Sequence, residues 1–209
     1  MKLFFKRLGA YFIDILIVTI ISVSISSIKS INYQYDNYNN LYNEMVDVTK
    51  KFQNNEIEDE EYNKKLTNLS YKIEKNSTLT TVISIACIIG YFVIFAYSQN
   101  GRTIGKRVFK LQVIKNSEGS LSLINYFLRS LVLNNLFFTI VRLICIMVMS
   151  KSTYITSVNV LNNIQLIVQI IIVLSLLISK EGRGIHDYIA GTKVIDLKNK
   201  DIIEGEIVK

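Results

Sequence analysis

An aspartate sits inside an apolar run long enough to cross a membrane. Residues 8–28 are 21 residues of mostly Ile, Leu, Val, Ser and Thr, and Asp14 is their single charge. Such a run can span a hydrocarbon core of ~30 Å at ~1.5 Å per residue. A carboxylate there costs roughly 2.5–3.5 kcal/mol on the insertion scale, so it implies a partner or a task. Three further runs, at residues 79–98, 130–149 and 158–179, are of similar length. The pattern predicts an all-α membrane protein with four transmembrane helices, forming one domain over residues 1–209. The chain is 50% hydrophobic and carries a formal charge of +7. Because the apolar residues are blocked into runs, that charge belongs to the loops of a membrane protein and does not point to nucleic acid.

The chain contains no proline and no tryptophan. A break in a membrane helix must therefore come from glycine or a polar side chain, and Tyr11, Tyr91, Tyr97 and Tyr154 stand near run ends as interface anchors. Cys87 and Cys145 are isolated within apolar runs. They read as small apolar fillers with no metal-ligand spacing.

Charge sets the expected orientation. Lys2, Lys6 and Arg7 precede the first run, and the segment at residues 99–129 carries Arg102, Lys106, Arg107, Lys110, Lys115 and Arg129 against Glu118 alone. Basic segments of this kind stay cytoplasmic. The segment at residues 29–78, with seven basic and nine acidic residues, is then extracytoplasmic, and four spans return the C-terminus to the cytoplasm. The first run lacks an A-x-A-like cleavage site and is read as a retained span. Abundant Lys, Asn and Ile suggest a low-GC bacterial source. The expected location is the bacterial cell membrane, multi-pass, with both termini cytoplasmic.

Within residues 29–78, Leu41, Met45, Val48 and Phe52 recur at steps of three and four, as do Tyr62, Leu66, Leu69 and Ile73. This predicts an extracytoplasmic helical hairpin that turns near residues 53–56. It either shields its own apolar stripe or offers a docking surface to a protein partner. On the other side, VFKLQVI at residues 108–114 alternates, residues 116–119 supply a turn and residues 120–123 alternate again, a β-hairpin signal. KVIDL at residues 193–197 adds a further strand, so a small cytoplasmic β element is expected to join both segments. Ser122 or Asn125 is placed to cap the helix entering the third span.

Three blocks carry a resemblance. RLGAYFID at residues 7–14, GRTIGKRVFKLQVI at residues 101–114 and RGIHDYIAGTKVID at residues 183–196 occur in the order found in RDD-family membrane proteins, and together they resemble that family across nearly the whole chain. The arginine and two aspartates that name the family match Arg7, Asp14 and Asp187. The insert at residues 29–78 has no counterpart in the short family core. The resemblance implies a multi-span membrane protein for which transport of an unidentified ligand is proposed, with cation/proton exchange associated with some members.

The residues themselves allow a charge cluster with either a transport or a structural role. Arg7, Ala10 and Asp14 fall on one helical face, with Arg7 and Asp14 ~10 Å apart along the axis. A closer partner for Asp14 is expected from the third span, where Asn134 and Asn135 lie at similar depth. Arg142 sits deeper in that span. Asn159, Asn162, Gln165 and Gln169 make a polar stripe on the fourth, with Gln165 expected near the depth of Arg142. This suggests an outer polar layer above an inner acidic site. Asp187 is expected to pair with a basic residue such as Arg7 or Arg107 and clamp the tail to the helix mouths. The basic residues at 102–110 are read as lipid-headgroup contacts.

His186 beside Asp187 invites a catalytic reading, but neighbours on a helix do not face each other and no nucleophile motif accompanies them. No enzyme activity, cofactor, metal or nucleotide site is expected. Two functions stay open. One is a small transporter or exchanger of ions or small solutes, with cation/proton exchange as the form the family resemblance suggests, whose four short helices enclose little space alone and so call for a homo-oligomer. The other is a non-transporting membrane scaffold or accessory subunit that binds a partner through the outer hairpin. Membrane lipids are partners in both. What Asp14 faces separates them: a solvated pocket favours transport, and a closed clamp favours the scaffold.

Overall fold

A computed structural model describes residues 2–179 and 182–198. Three helical stretches, Leu3–Ser26, Thr78–Ser98 and Lys151–Ile178, are long and apolar enough to cross a membrane. The first belongs to α1 (Lys2–Ser26), and the third is α9 (Lys151–Ile178). The second comprises α4 (Thr78–Ile89), a π-helical turn (Gly90–Phe95) and α5 (Ala96–Ser98).

The third apolar run forms two helices, α7 (Leu123–Leu133) and α8 (Leu136–Val148), bent by 71° and counting as a fourth span if taken together. This corrects the straight helix expected over residues 130–149. The break falls on Asn134, which ends α7, and Asn135, which adopts φ 54°. Asparagine enters that left-handed region more readily than most residues, so a polar pair makes the break that proline makes elsewhere.

The chain divides into two compact units, one of Met1–Ile21, Ile85–Phe137 and Ile164–Lys209, the other of Ser22–Ser84 and Phe138–Asn163. In the first, α1 starts upstream of the apolar run, so Lys6 and Arg7 lie on the helix rather than before it. Along α1, Arg7, Ala10, Asp14, Val18, Ser22 and Ser26 are buried. Their steps of three and four make one buried stripe, while Leu8, Phe12, Leu16 and Ile20 are exposed, as expected of a lipid-facing surface.

The π turn gives the second stretch an unusual run of three consecutive buried residues, Tyr91, Phe92 and Val93. Its i→i+5 hydrogen bonding widens the turn. Tyr91 and Phe92 pack with Val18, and Val93 joins Ala10, Ala96, Leu111, Val113, Tyr126 and Val194 in the main core.

That core sits on a two-stranded sheet. β1 (Leu111–Lys115) pairs antiparallel with β2 (Thr192–Asp196), with Leu111 opposite Asp196 and Lys115 opposite Thr192. The strand expected at residues 193–197 is therefore present, one residue earlier, but the partner expected at residues 120–123 is not a strand. Ser122 instead caps α7: its N–H and hydroxyl donate to Asn125 Oδ1 at 2.9 and 2.8 Å. Local capping outcompetes a short alternating pattern here. Gly101 (φ +80°) lies beside β1, where its carbonyl accepts from Val113 N at 3.1 Å and a Cβ would lie 2.2 Å from the Val113 carbonyl oxygen.

In the second unit, α2 (Tyr35–Gln53) and α3 (Asp59–Asn76) form the helical hairpin at residues 29–78. Acidic residues occupy the first turn of each helix and lysines the last, which complements the helix dipoles. Val48 and Leu69 are buried. Phe52 stacks on Tyr62 at the turn, with centroids 4.2 Å apart and planes 12° apart. In the same unit Cys145, Ile146 and Tyr154 form a small core.

Candidate functional site: a double charge clamp beside a cavity

Asp14 is fully buried, and its partners come from the second apolar stretch and the segment that follows it. Tyr91 Oη donates to Oδ1 at 2.7 Å, Gly105 N to Oδ1 at 2.7 Å and Thr103 Oγ1 to Oδ2 at 2.5 Å. Lys106 Nζ lies 3.7 Å from Oδ2 and donates to Thr103 Oγ1 at 2.9 Å. The carboxylate thus reaches across from α1 to the first turn of α6 (Ile104–Val108), whose N-cap is Thr103. It satisfies a helix-start N–H that its own chain leaves open. Gly105 makes the approach possible: a Cβ there would stand 2.1 Å from the Ala10 carbonyl oxygen and 2.9 Å from Asp14 Oδ1.

Asn134 and Asn135 do not fill the role expected of them beside Asp14. The Asn134 amide donates to Ser130 Oγ at 2.8 Å, because the helix break turns the pair away from a simple span geometry. Lys106, expected at the lipid headgroups, is instead drawn into the Asp14 cluster. Burial pulls its ammonium down to about 8, Asp14 opposes that shift, and Arg129 and Arg7 reinforce it.

The second clamp centres on Asp187, also fully buried. Arg7 Nη2 donates to Oδ2 at 2.5 Å, and Arg129 Nη1 donates to Oδ1. Thr192 Oγ1 and the Gly184 N–H complete the shell at 3.2 and 3.1 Å. Arg7 also donates to the Gly182 carbonyl, so one guanidinium ties α1 to α10 (Ile185–Ile189) and to the segment just before it. Arg7 is a partner of Asp187, as the sequence suggested. The second cation is Arg129, counted there as a loop charge, and Arg107 bonds Gln99 instead. Arg129 lies on α7 and is buried. No sequence spacing links it to Asp187.

His186 is wholly buried next to this clamp. Its Nε2 lies 3.1 Å from Arg7 Nη2. Arginine only donates, so Nε2 accepts and the imidazole proton sits on Nδ1. Burial, then Arg129, Arg7 and Lys106, push the ring well below its ordinary pKa. His186 is therefore neutral, and its 3.5 Å approach to Asp187 is not an ion pair. No partner reaches Nδ1 among the described residues. Lys6 bonds Asp196 at the sheet edge. Burial works against that carboxylate's charge, but the Lys6 bond prevails and holds Asp196 below its ordinary value.

Between these clamps lies a cavity of about 400 Å³. Arg7, Lys106, Arg129 and His186 stand on its wall with Ser130, Asn134, Asn135 and Gln169, and the rest is mainly aliphatic and aromatic. Asp14 and Asp187 do not line it. Arg142 belongs to the other unit, where Nη2 donates to Asn162 Oδ1 at 2.6 Å. In that unit Tyr154 bonds Glu74. Burial raises Glu74, and the charge of Arg142 opposes the rise.

The described residues hold no group of three or more His, Cys, Asp or Glu side chains placed to bind a metal ion. No curated protein and no solved structure matches the chain. The RDD-family model does match, over residues 2–191. Its match covers Asp14, Asp187 and their basic partners, and all of the cavity wall except Val194, so the chain belongs to the RDD family.

Proposed function

We propose that this RDD-family protein is a small-solute transporter of the cell membrane, with the cavity beside the two clamps as its binding chamber. The carrying observation is the cavity of about 400 Å³, which sets three cationic side chains among apolar walls. That volume falls within the ~300–1,000 Å³ common for small-molecule sites. Asp14 is read as a positioning group for this chamber: three hydrogen bonds and a nearby ammonium hold its carboxylate in place. The basic segments at the N-terminus and at residues 99–129 support a cytoplasmic placement of both.

A second reading, a membrane accessory subunit that binds a partner through α2 and α3, is favoured by the same closed state of Asp14. Proteoliposomes separate the two. Vesicles with an entrapped pH indicator would be challenged with Na⁺, Li⁺ and K⁺ gradients and with acetate and phosphate gradients. Transport predicts a protein-dependent signal for at least one gradient, lost in Val173→Phe, which narrows the cavity. Silence from well-folded wild-type protein under every gradient would move the assignment to the accessory reading.

A further inference from the structure

Five charges surround the cavity, four of them buried and the fifth, Lys106, partly buried with a side chain 14% exposed. Arg7, Lys106 and Arg129 line it, while Asp14 and Asp187 are buried behind it. Three cations against two carboxylates leave one positive charge without a counter-ion in this cluster, and His186 is neutral and adds none. An uncompensated charge away from water is costly, so an anion entering the cavity would be favoured. Most of the wall is apolar, including Phe4, Leu8, Phe92 and Leu176. A free inorganic anion would leave those side chains facing empty or wet space.

Two wall residues also hold polar atoms without partners among the described residues. Asn134 is 8% exposed and His186 0% exposed, and neither Asn134 Oδ1 nor His186 Nδ1 has a hydrogen-bond partner. The His186 Nδ1–H is a donor by the tautomer argument above. The Asn134 amide rests on a hydroxyl, Ser130 Oγ, which can either donate or accept. Turning the amide over would keep that bond and present an N–H instead.

The cavity also reaches the outer surface of its helices. Leu8 and Val173 both line it, yet they are 54% and 49% exposed. These belong to stretches of membrane length, so a ligand could enter sideways from the hydrocarbon without first crossing water.

We infer that the cavity binds a single-chain anionic amphiphile, with its carboxylate or phosphate head beside Arg7, Arg129 and Lys106 and its aliphatic tail along Phe4, Leu8, Phe92 and Leu176. This names the substrate class for the chamber and rests on the cavity being a binding site. It does not require flux, because binding is measured at equilibrium. A volume of about 400 Å³ suits one chain and not a whole two-chain lipid.

The test is saturation binding to the full-length protein in nanodiscs of zwitterionic lipid, with hexadecanoate, hexadecyl phosphate, hexadecanol and inorganic phosphate as probes. The expected result is saturable binding of hexadecanoate or hexadecyl phosphate, at least tenfold tighter than hexadecanol or inorganic phosphate. The stronger of the two identifies the head group. Val173→Phe should weaken the charged probe at least tenfold while leaving the unliganded unfolding temperature unchanged. Equal binding of hexadecanol would reduce the site to an apolar slot and overturn the inference, as would the absence of saturable binding by either anion. If Val173→Phe fails to fold, the comparison of head groups on wild-type protein still decides. Flux without amphiphile binding would refute this inference alone. Binding without flux would refute only the transport reading.

Discussion

Replacing Asp187 with asparagine should be the most damaging isosteric change in the protein. The substitution keeps the volume and one acceptor oxygen but removes the charge that Arg7 and Arg129 share. Those guanidiniums have side-chain exposures of 8% and 9%, and Asp187 has 0%. Water cannot take over its role. The new amide would also point an N–H₂ at one of the two donors. Removing one partner from a buried ion pair costs roughly 3–5 kcal/mol, which for a chain of this size lowers the unfolding temperature by about 6–20 °C.

Asp14→Asn should cost less, on the order of 1–3 kcal/mol, because its direct partners are two hydroxyls and an N–H. The Thr103 hydroxyl can turn and accept from the new amide, so the main loss is the extra strength of charge-assisted bonds. Thermal unfolding in detergent, followed with a thiol-reactive dye at Cys87 and Cys145, reads both. Asp187→Asn should unfold at the lower temperature, and replacing Arg7, Asp187 and Arg129 together by Met, Leu and Met should recover much of the loss. The reasoning fails if Asp187→Asn shifts stability by under about 1 kcal/mol, or if Asp14→Asn is the worse of the two.

Two further outcomes follow from the same geometry. Gly105→Ala places a methyl 2.1 Å from the Ala10 carbonyl oxygen, so α6 must lift from α1. The variant should be at least as unstable as Asp14→Asn in the same dye assay, and wild-type stability would show that the contact is not tight. His186 has its folded pKa pushed down by burial and three cations. Below about pH 6.5 the unfolded chain takes up a proton that the folded protein refuses, so stability should fall by up to about 1.4 kcal/mol per pH unit on acidification, with no such term above that pH. His186→Gln should flatten the slope between pH 6.5 and 5, and parallel curves for the two proteins would sink the assignment of a neutral ring.

Periodic features were legible in the sequence. Apolar runs announced the membrane-length helices, the i, i+3, i+7 spacing put Arg7, Ala10 and Asp14 on one face, and KVIDL announced β2. The Arg7–Asp187 pair was expected, but the other partnerships were not legible, because they join residues that sequence spacing cannot connect. Asp14 finds Thr103 and Gly105, and Asp187 adds Arg129, by tertiary approach. A glycine whose missing Cβ permits that approach looks like any loop glycine until the carbonyl beneath it is known. The split between α7 and α8 was hidden for another reason. Hydropathy averaged over ~19 residues passes over two asparagines, although those side chains decide the local backbone. The strand expected at residues 120–123 failed because Ser122 and Asn125 satisfy a helix start within four residues, a closer option than any strand partner.

The sequence separations in the two clamps impose an order on biosynthesis. Asp14 bonds Gly105 across 91 residues, and Arg7 bonds Asp187 across 180. Chains emerge from the ribosome N-terminus first, at ~5–20 residues per second. The first helix therefore enters the bilayer several seconds before Asp14 meets its nearest cap, and Arg7 waits about twice as long for its carboxylate. Throughout that interval the nascent protein carries bare charges at the place where they cost most. The segment around Asp187 acts as a latch that closes last, so a chain cut short before it would present an unpaired arginine to the machinery that removes unfinished membrane proteins.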